Sequence, residues 1–269
     1  MYSVLLQLKQ TGTRGLDGKI IKRCATVITD TLTYRYNLCI DNHCFQKAFK
    51  QAKVLPIYRS GDRKERFDYR PISILFVISK PLEKHINNRL LSHLNTNELP
   101  HPNQSGFKEH YSCHTALTTL VDKWRTNINN NEFLGVLVDF AKALDVIDHD
   151  LILCRLALYR LSKDTLKLIA SYLLNRQQLV CVNTSKSNLL PLKYSVPQGS
   201  ALGPLLFSLY VNELFLFIRA LCELFADDTS IHSGHSNRKD LSLSLQERVN
   251  SLLWWTELNQ MSLNSQKIK

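Results

Sequence analysis

What the chain lacks narrows its class before any motif is read. Its seven cysteines, Cys24, Cys39, Cys44, Cys113, Cys154, Cys181 and Cys222, fall singly, with no C-x-x-C pair. Neither a disulfide framework nor a zinc site of the common spacings is expected, and a reducing compartment fits better. No secretory signal is expected, because Val4-Leu5-Leu6 is too short an apolar core. No apolar run is long enough to span a bilayer. The longest, Leu202 to Ile218, is broken by Asn212 and Glu213 and reads as a buried helix. Repeats and low-complexity segments are absent. Acids are also scarce: 23 Asp and Glu stand against 34 Lys and Arg, a formal charge of +11. That excess points to a polyanionic partner, nucleic acid first and a membrane surface second. The 269 residues, 44% of them hydrophobic, suffice for one large domain or two small ones.

Hydrophobic spacing gives a coarse order of elements. Residues 1–50 read as helical with a Gly-rich break from Thr11 to Gly18. Lys53 to Tyr58 reads as a short strand, and Arg59 to Tyr69 as a charged loop around Ser60-Gly61-Asp62. Between Lys47 and Arg70 lie eight basic residues and only three acids, Asp62, Glu65 and Asp68. This is either a solvated loop or a basic flap over phosphates. Leu82, Ile86, Leu90 and Leu94 step by four, which predicts a helix starting near Pro81. Thr115 to Ile128 predicts another, with Ala116, Leu117, Leu120, Val121 and Trp124 on one face. Gly135 to Phe140 is the strongest strand. Helices follow over Leu151–Leu161 and Thr165–Leu174. A hairpin is expected with Ser185-Lys186-Ser187-Asn188 at its tip, and a last helix is marked by Leu241, Leu245, Val249, Leu252 and Leu253.

The acids are the chemistry-bearing feature. Leu224-Phe225-Ala226-Asp227-Asp228 reads as strand and tight turn, with both carboxylates at the turn. In a regular strand adjacent side chains point to opposite faces, but at a hairpin tip that alternation breaks. Neighbouring like charges repel unless a cation neutralises them, and Mg²⁺ is the simplest ion for an all-oxygen site. Asp139 closes the Gly135–Phe140 strand. If that strand lies beside the hairpin, three carboxylates meet, which suits two divalent ions about 4 Å apart and phosphoryl transfer.

With these residues in view, the sequence resembles the reverse transcriptases of non-LTR (LINE-type) retrotransposons. Thr13 to Ile20 looks like the N-terminal segment of that family. Val54 to Asp62 and Tyr69-Arg70-Pro71-Ile72-Ser73 look like its fingers motifs, and Gln104-Ser105-Gly106-Phe107 is similar to another. Val138 to Asp145, followed by Asp148-His149, resembles motif A. Val196 to Pro204 resembles motif B, and Phe225-Ala226-Asp227-Asp228 motif C. The segments come in the family's order, and independent signals agree.

The resemblance implies an α+β right-hand polymerase of fingers and palm, the palm an antiparallel sheet backed by helices with the acids on its open face. Residues 1–132 would be mainly fingers and 133–269 mainly palm, with the thumb absent. It implies RNA-directed DNA synthesis with two Mg²⁺ ions, an RNA template, a DNA primer and deoxynucleoside triphosphates, in the nucleus or cytoplasm. Asp139, Asp227 and Asp228 would hold the metal, assisted by the Phe140 carbonyl. Arg70 and Lys53 would contact the triphosphate, Gln198 and Gly199 would line the nucleotide pocket, and Lys267 would protonate pyrophosphate. Three positions depart from the family pattern. Leu144 replaces the Phe that screens out a 2′-hydroxyl, Pro81 replaces an apolar helix residue, and Ala141 replaces a Ser. The alternatives are a truncated, inactive nucleic-acid-binding relic, an intron maturase, or a basic scaffold that ignores nucleic acid.

Overall fold

The computed structural model describes residues 2–5, 17–108, 111–130, 132–218 and 221–264. In chain order the elements are α1 (Tyr2–Leu5), α2 (Gly18–Arg23), α3 (Ala25–Asp41), β1 (Gln51–Tyr58), β2 (Tyr69–Ile74), α4 (Ser79–Thr96), α5 (Cys113–Asn130), β3 (Glu132–Ala141), α6 (His149–Leu158), α7 (Lys163–Leu173), β4 (Arg176–Val182), β5 (Ser185–Lys186), β6 (Leu190–Leu192), α8 (Gly203–Val211), α9 (Leu214–Ile218), β7 (Leu221–Phe225), β8 (Asp228–His235), α10 (Arg238–Leu258) and β9 (Ser262–Leu263). The class is α+β. Two compact units interleave along the chain. The first comprises Met1–His93 and Leu153–Gly203, the second Leu94–Ile152 and Pro204–Lys269.

The first unit is built on a mixed sheet of order β2-β1-β4-β5, with β6 also paired to β4. β1 and β2 are antiparallel, whereas β1 and β4 run parallel. α4 begins two residues ahead of Pro81, so the proline sits in the first turn, where a missing N–H breaks no helical bond. Its expected stripe of Leu82, Ile86, Leu90 and Leu94 is buried. Phe45 packs edge-on against Tyr172, with ring centroids 5.1 Å apart. The hairpin tip differs from expectation. The turn is Asn183-Thr184, and Ser185 and Lys186 pair back onto Val182 and Cys181. Asn183 has φ 53°, a conformation asparagine tolerates better than most residues, and this moves the tip forward.

The second unit holds an all-antiparallel sheet, β7-β8-β3-β9. α10 packs on β8 and β3. Phe140 of β3 faces the fully buried Trp255 of α10, with ring centroids 6.0 Å apart. The Trp255 indole N–H donates to Glu213 Oε1 at 3.3 Å, and the Tyr210 hydroxyl donates to the Asn259 carbonyl at 2.9 Å. Glu213 thus interrupts the apolar run between α8 and α9 because its carboxylate satisfies a buried indole. No helix among the described residues is long and apolar enough to cross a membrane.

Candidate active site

The site is set by strand register in the second unit. Along β3 the side chains alternate, so Val138 and Phe140 are buried on the α10 side while Leu137 and Asp139 take the other face. Leu137 is 42% exposed and Asp139 only 8%. Asp139 lies directly opposite Asp228 of β8. Directly opposed residues share a face of the sheet, so both carboxylates emerge on the side away from α10.

The spacing of that pair follows from the hairpin. β7 and β8 are joined by two residues, Ala226 and Asp227, with Phe225 opposite Asp228. The closing pair of such a hairpin is hydrogen-bonded, which turns the Asp228 amide and carbonyl toward β7. On its other side, Asp228 therefore forms a non-hydrogen-bonded pair with Asp139, the type with Cα atoms only about 4.5 Å apart. The other edge of β3 agrees. The Asp139 carbonyl accepts from the Asn264 amide at 2.8 Å, on the β9 side. Successive residues aim their backbone groups to alternate edges, so the Phe140 carbonyl points toward the edge where the Asp227 turn sits. Asn264 also donates from Nδ2 to Asp139 Oδ2 at 3.3 Å.

The turn is held from outside. Ala226 has φ 57°, the positive value a type II′ turn requires at its first central position. Residues 103–106 run along the free edge of β7. The Ser105 amide donates to the Leu224 carbonyl at 2.8 Å, the Leu224 amide to the Asn103 carbonyl at 3.0 Å, and Asn103 Nδ2 to the Cys222 carbonyl at 3.0 Å. Gly106 then meets the turn so closely that a Cβ there would lie 2.0 Å from the Ala226 nitrogen. The Asn103–Gly106 segment therefore acts as a clamp on the acid-bearing turn. Neither this clamp nor Asn264 was identified from sequence. Both are long-range partners: the Gln104-Ser105-Gly106-Phe107 segment was singled out only by its resemblance to a family motif, and nothing local tied it to the acidic turn.

Asp227 and Asp228 are exposed; Asp228 faces Asp139 in the ladder, and Asp227 precedes it in the turn. No group of three His, Cys, Asp or Glu side chains among the described residues is drawn together tightly enough to hold a metal. Of the three acids expected to meet, Asp139 and Asp228 form a registered pair, and Asp227 adjoins Asp228 on the turn. The donor set still fits a hard divalent cation, because every atom offered is a carboxylate or carbonyl oxygen. Part of the acid-bearing face is occupied by α5. Between α5 and the sheet is a cavity of about 350 Å³ lined by Leu117, Leu120, Leu137, Phe225 and Asp228 among others. The apolar face expected of α5 is therefore only partly covered, with Leu117 59% exposed.

The remaining expected residues fall as follows. Leu144 is half-buried in the turn after β3, within the second unit. Lys53, Arg70, Gln198 and Gly199 belong to the first. Lys53 faces Ile74 across the β1–β2 ladder and Arg70 faces Ile57, so both basic side chains share one face, four rungs apart, or roughly 13 Å. The loop between these strands is ordered by its own contacts: the Asp62 amide donates to Asp68 Oδ2 at 2.7 Å, and Arg63 lies 4.9 Å from the Tyr58 ring centroid. Gly199 has φ 115°, and a Cβ there would stand 2.7 Å from the Ser73 carbonyl oxygen. The Ser73 amide donates to the Gln198 carbonyl at 2.7 Å. Beneath this turn Glu83, fully buried, accepts from the Ala201 amide and from Ser79 Oγ, each at 2.9 Å. Burial raises the Glu83 pKa, and the neighbouring Arg176 charge opposes that rise. Lys267 and part of the Thr13–Ile20 segment lie outside the described residues.

A family profile described as reverse transcriptase (RNA-dependent DNA polymerase) matches residues 62–269, well over half of the chain. The chain belongs to the reverse transcriptase family. Among curated relatives of this reverse transcriptase domain, the RNA-directed DNA polymerase from mobile element jockey of Drosophila melanogaster is 28% identical over 270 residues, covering 96% of this chain and 29% of that protein. The probable RNA-directed DNA polymerases from transposon BS and transposon X-element of the same organism are 28% and 27% identical, covering 86% and 88% of this chain. The resemblance to the reverse transcriptases of non-LTR retrotransposons is carried by these matches. The chain spans less than a third of the length of these three relatives, 29%, 27% and 27%.

Proposed function

We propose that this chain supplies the fingers and palm of an RNA-directed DNA polymerase of a non-LTR retrotransposon. In that reaction a primer 3′-hydroxyl attacks the α-phosphate of a deoxynucleoside triphosphate and pyrophosphate leaves. The observation that carries the reading is the Asp139–Asp228 register pair, set beside the Asp227 turn and opposite α10, in a chain of this family. Asp139, Asp227, Asp228 and the Phe140 carbonyl would hold the divalent ions. Mg²⁺ bound there would lower the pKa of the attacking hydroxyl and neutralise charge on the leaving phosphates.

The chain's own residues do the positioning. Asn264 fixes the Asp139 carboxylate by a hydrogen bond to Oδ2. The Asn103–Gly106 clamp holds the turn that carries Asp227. By resemblance, Arg70 and Lys53 bind the triphosphate, Gln198 and Gly199 line the nucleotide pocket, Leu144 faces the sugar and Lys267 donates a proton to pyrophosphate. The Gly199 conformation and its close approach to Ser73 are consistent with a backbone-defined wall. The expected partners are an RNA template and a DNA primer, and the expected compartment is the nucleus or cytoplasm.

Primer extension on an RNA template tests the reading, with Asp227→Asn/Asp228→Asn as the control. Extension that the double variant abolishes supports it. Template–primer binding without Mg²⁺-dependent extension would overturn it in favour of a non-catalytic nucleic-acid binder.

A further inference from the structure

A second basic feature lies in the first unit and shares no residue with the candidate active site. On α4, His85, Arg89 and His93 recur at intervals of four and therefore rise along one face of the helix. Arg160, in the turn leading into α7, lines the same cavity, which measures about 460 Å³. Its wall includes Ile86, Leu90 and Leu168. The cavity thus joins aliphatic side chains to a cluster of two guanidinium and two imidazole groups.

Nothing in the described structure neutralises the guanidinium charges. Among the described residues neither the Arg89 nor the Arg160 guanidinium has an ion-pair or hydrogen-bond partner. Asp164 follows closely in sequence, but it pairs with His43 and Lys167, both at 3.2 Å. Burial, reinforced by the charge of Arg89, lowers the pKa of His85, so at neutral pH His85 is a polar wall and not a third cation. His93 is held by its Nε2 contact to the Tyr159 carbonyl at 3.0 Å. Ser162, which also lines the cavity, caps α7 by accepting from the Thr165 amide at 3.1 Å, so the positive end of that helix dipole adds to the field. Two uncompensated arginines lining one aliphatic-walled cavity form a fixed recognition element for an anion attached to a flat or apolar body. Arginine pairs with phosphate through two parallel N–H donors, and aliphatic walls accept the face of a base.

We propose that this cavity seats one nucleotide unit of a single-stranded RNA, its phosphate between Arg89 and Arg160 and its base against Ile86, Leu90 and Leu168. The choice of RNA rests on the nucleic-acid reading above; the anion site itself rests on the cavity. The chemistry shared with a free nucleotide is the phosphate, so both sources are tested. Binding of the full chain to a labelled single-stranded RNA is followed by fluorescence anisotropy across a salt series, and binding to uridine monophosphate by calorimetry. The variant is Arg89→Gln/Arg160→Gln. The control is Arg238→Gln/Lys239→Gln, which removes the same charge from the first turn of α10. The expected result is a loss of RNA affinity of about tenfold for the cavity variant, with the salt slope flattened by about 1.4, two contacts at about 0.7 each for a single strand. The control should change both far less. Circular dichroism melts confirm that both variants fold. Equal effects of variant and control on RNA overturn the inference and leave the polymerase reading standing. Wild-type chain that ignores RNA overturns both. Uridine monophosphate bound more tightly than RNA, and lost in the cavity variant, overturns the choice of a strand in favour of a free nucleotide. Primer extension that fails while the cavity variant still loses RNA overturns the polymerase reading alone.

Discussion

Replacing Gly106 by alanine should damage catalysis more than its distance in sequence from the acids suggests. The added Cβ would lie 2.0 Å from the Ala226 nitrogen, 2.7 Å from its Cα and 3.0 Å from the Phe225 carbonyl carbon. All three are backbone atoms, so no side chain can swing aside. Ordinary carbon contacts begin near about 3.5 Å, so the two backbones must part by roughly 1.5 Å. One route lifts the 103–106 segment off β7 and breaks the Ser105–Leu224 and Leu224–Asn103 hydrogen bonds. The other pushes the turn outward, carrying Asp227 and Asp228 away from Asp139. On the first route the strain is worth about 1–3 kcal/mol and the two lost backbone bonds about 1 kcal/mol each, for a total of roughly 3–5 kcal/mol. For a chain of this size that corresponds to a fall of roughly 5–9 °C in melting temperature. A shift of about 1 Å in a catalytic group costs about a hundredfold in rate. The assay is a circular dichroism melt alongside primer extension at a temperature where both proteins are folded. A variant that melts and extends like wild type would refute the clamp as described.

Three further outcomes are expected. His232 is buried in β8, and burial first, then Lys123 and Arg248, lower its pKa from 6.5 to about 4. Its neutral form is favoured in the folded state, so its contribution is complete above pH 6.5 and is lost as pH falls toward 4. About 3 kcal/mol is at stake, and in urea titrations His232→Leu should flatten that part of the stability profile. Arg176→Met leaves the buried Glu83 carboxylate without its main neighbouring cation. Neutral-pH stability should drop by about 3–5 kcal/mol, and the deficit should shrink on acidification because a protonated Glu83 needs no counter-charge; an equal deficit at both pH values contradicts this. Leu144→Phe should raise the preference for deoxy- over ribonucleotides in primer extension, and an unchanged ratio removes Leu144 from the sugar contact.

The elements that carry the chemistry were legible because their signals are local. β3 is apolar and β-branched with an acid near its end, and the acidic doublet follows directly on the apolar strand β7. The α4 stripe of four leucine-type side chains was equally plain, and Pro81 fell where a proline is harmless. Partners distant in sequence were not legible. The parallel pairing of β4 with β1 brings Gln177 opposite Gln51, and nothing in either strand announces the other. Asn264 reaches Asp139 across more than a hundred residues, and the Gly106 contact depends on where β7 happens to end. The Asn183 tip was missed because Ser185-Lys186-Ser187-Asn188 is the more polar run, although one asparagine with positive φ decides the turn. The uncovered side of α5 was hidden for a similar reason. Spacing reveals an apolar stripe but not what lies across from it.

The face-to-face placement of Asp139 and Asp228 makes this sheet intolerant of length changes. A strand repeats every two residues, so inserting a single amino acid into β3 ahead of Asp139, or into β8 just after Asp228, would invert the side chains on one side of it and send one carboxylate to the α10 side. The Arg59–Asp68 loop has no such parity to keep and could absorb extra residues without altering any register. Insertions and deletions in natural variants should therefore collect in that loop and stay out of the two strands, a pattern set by geometry before any selection on the rate of synthesis.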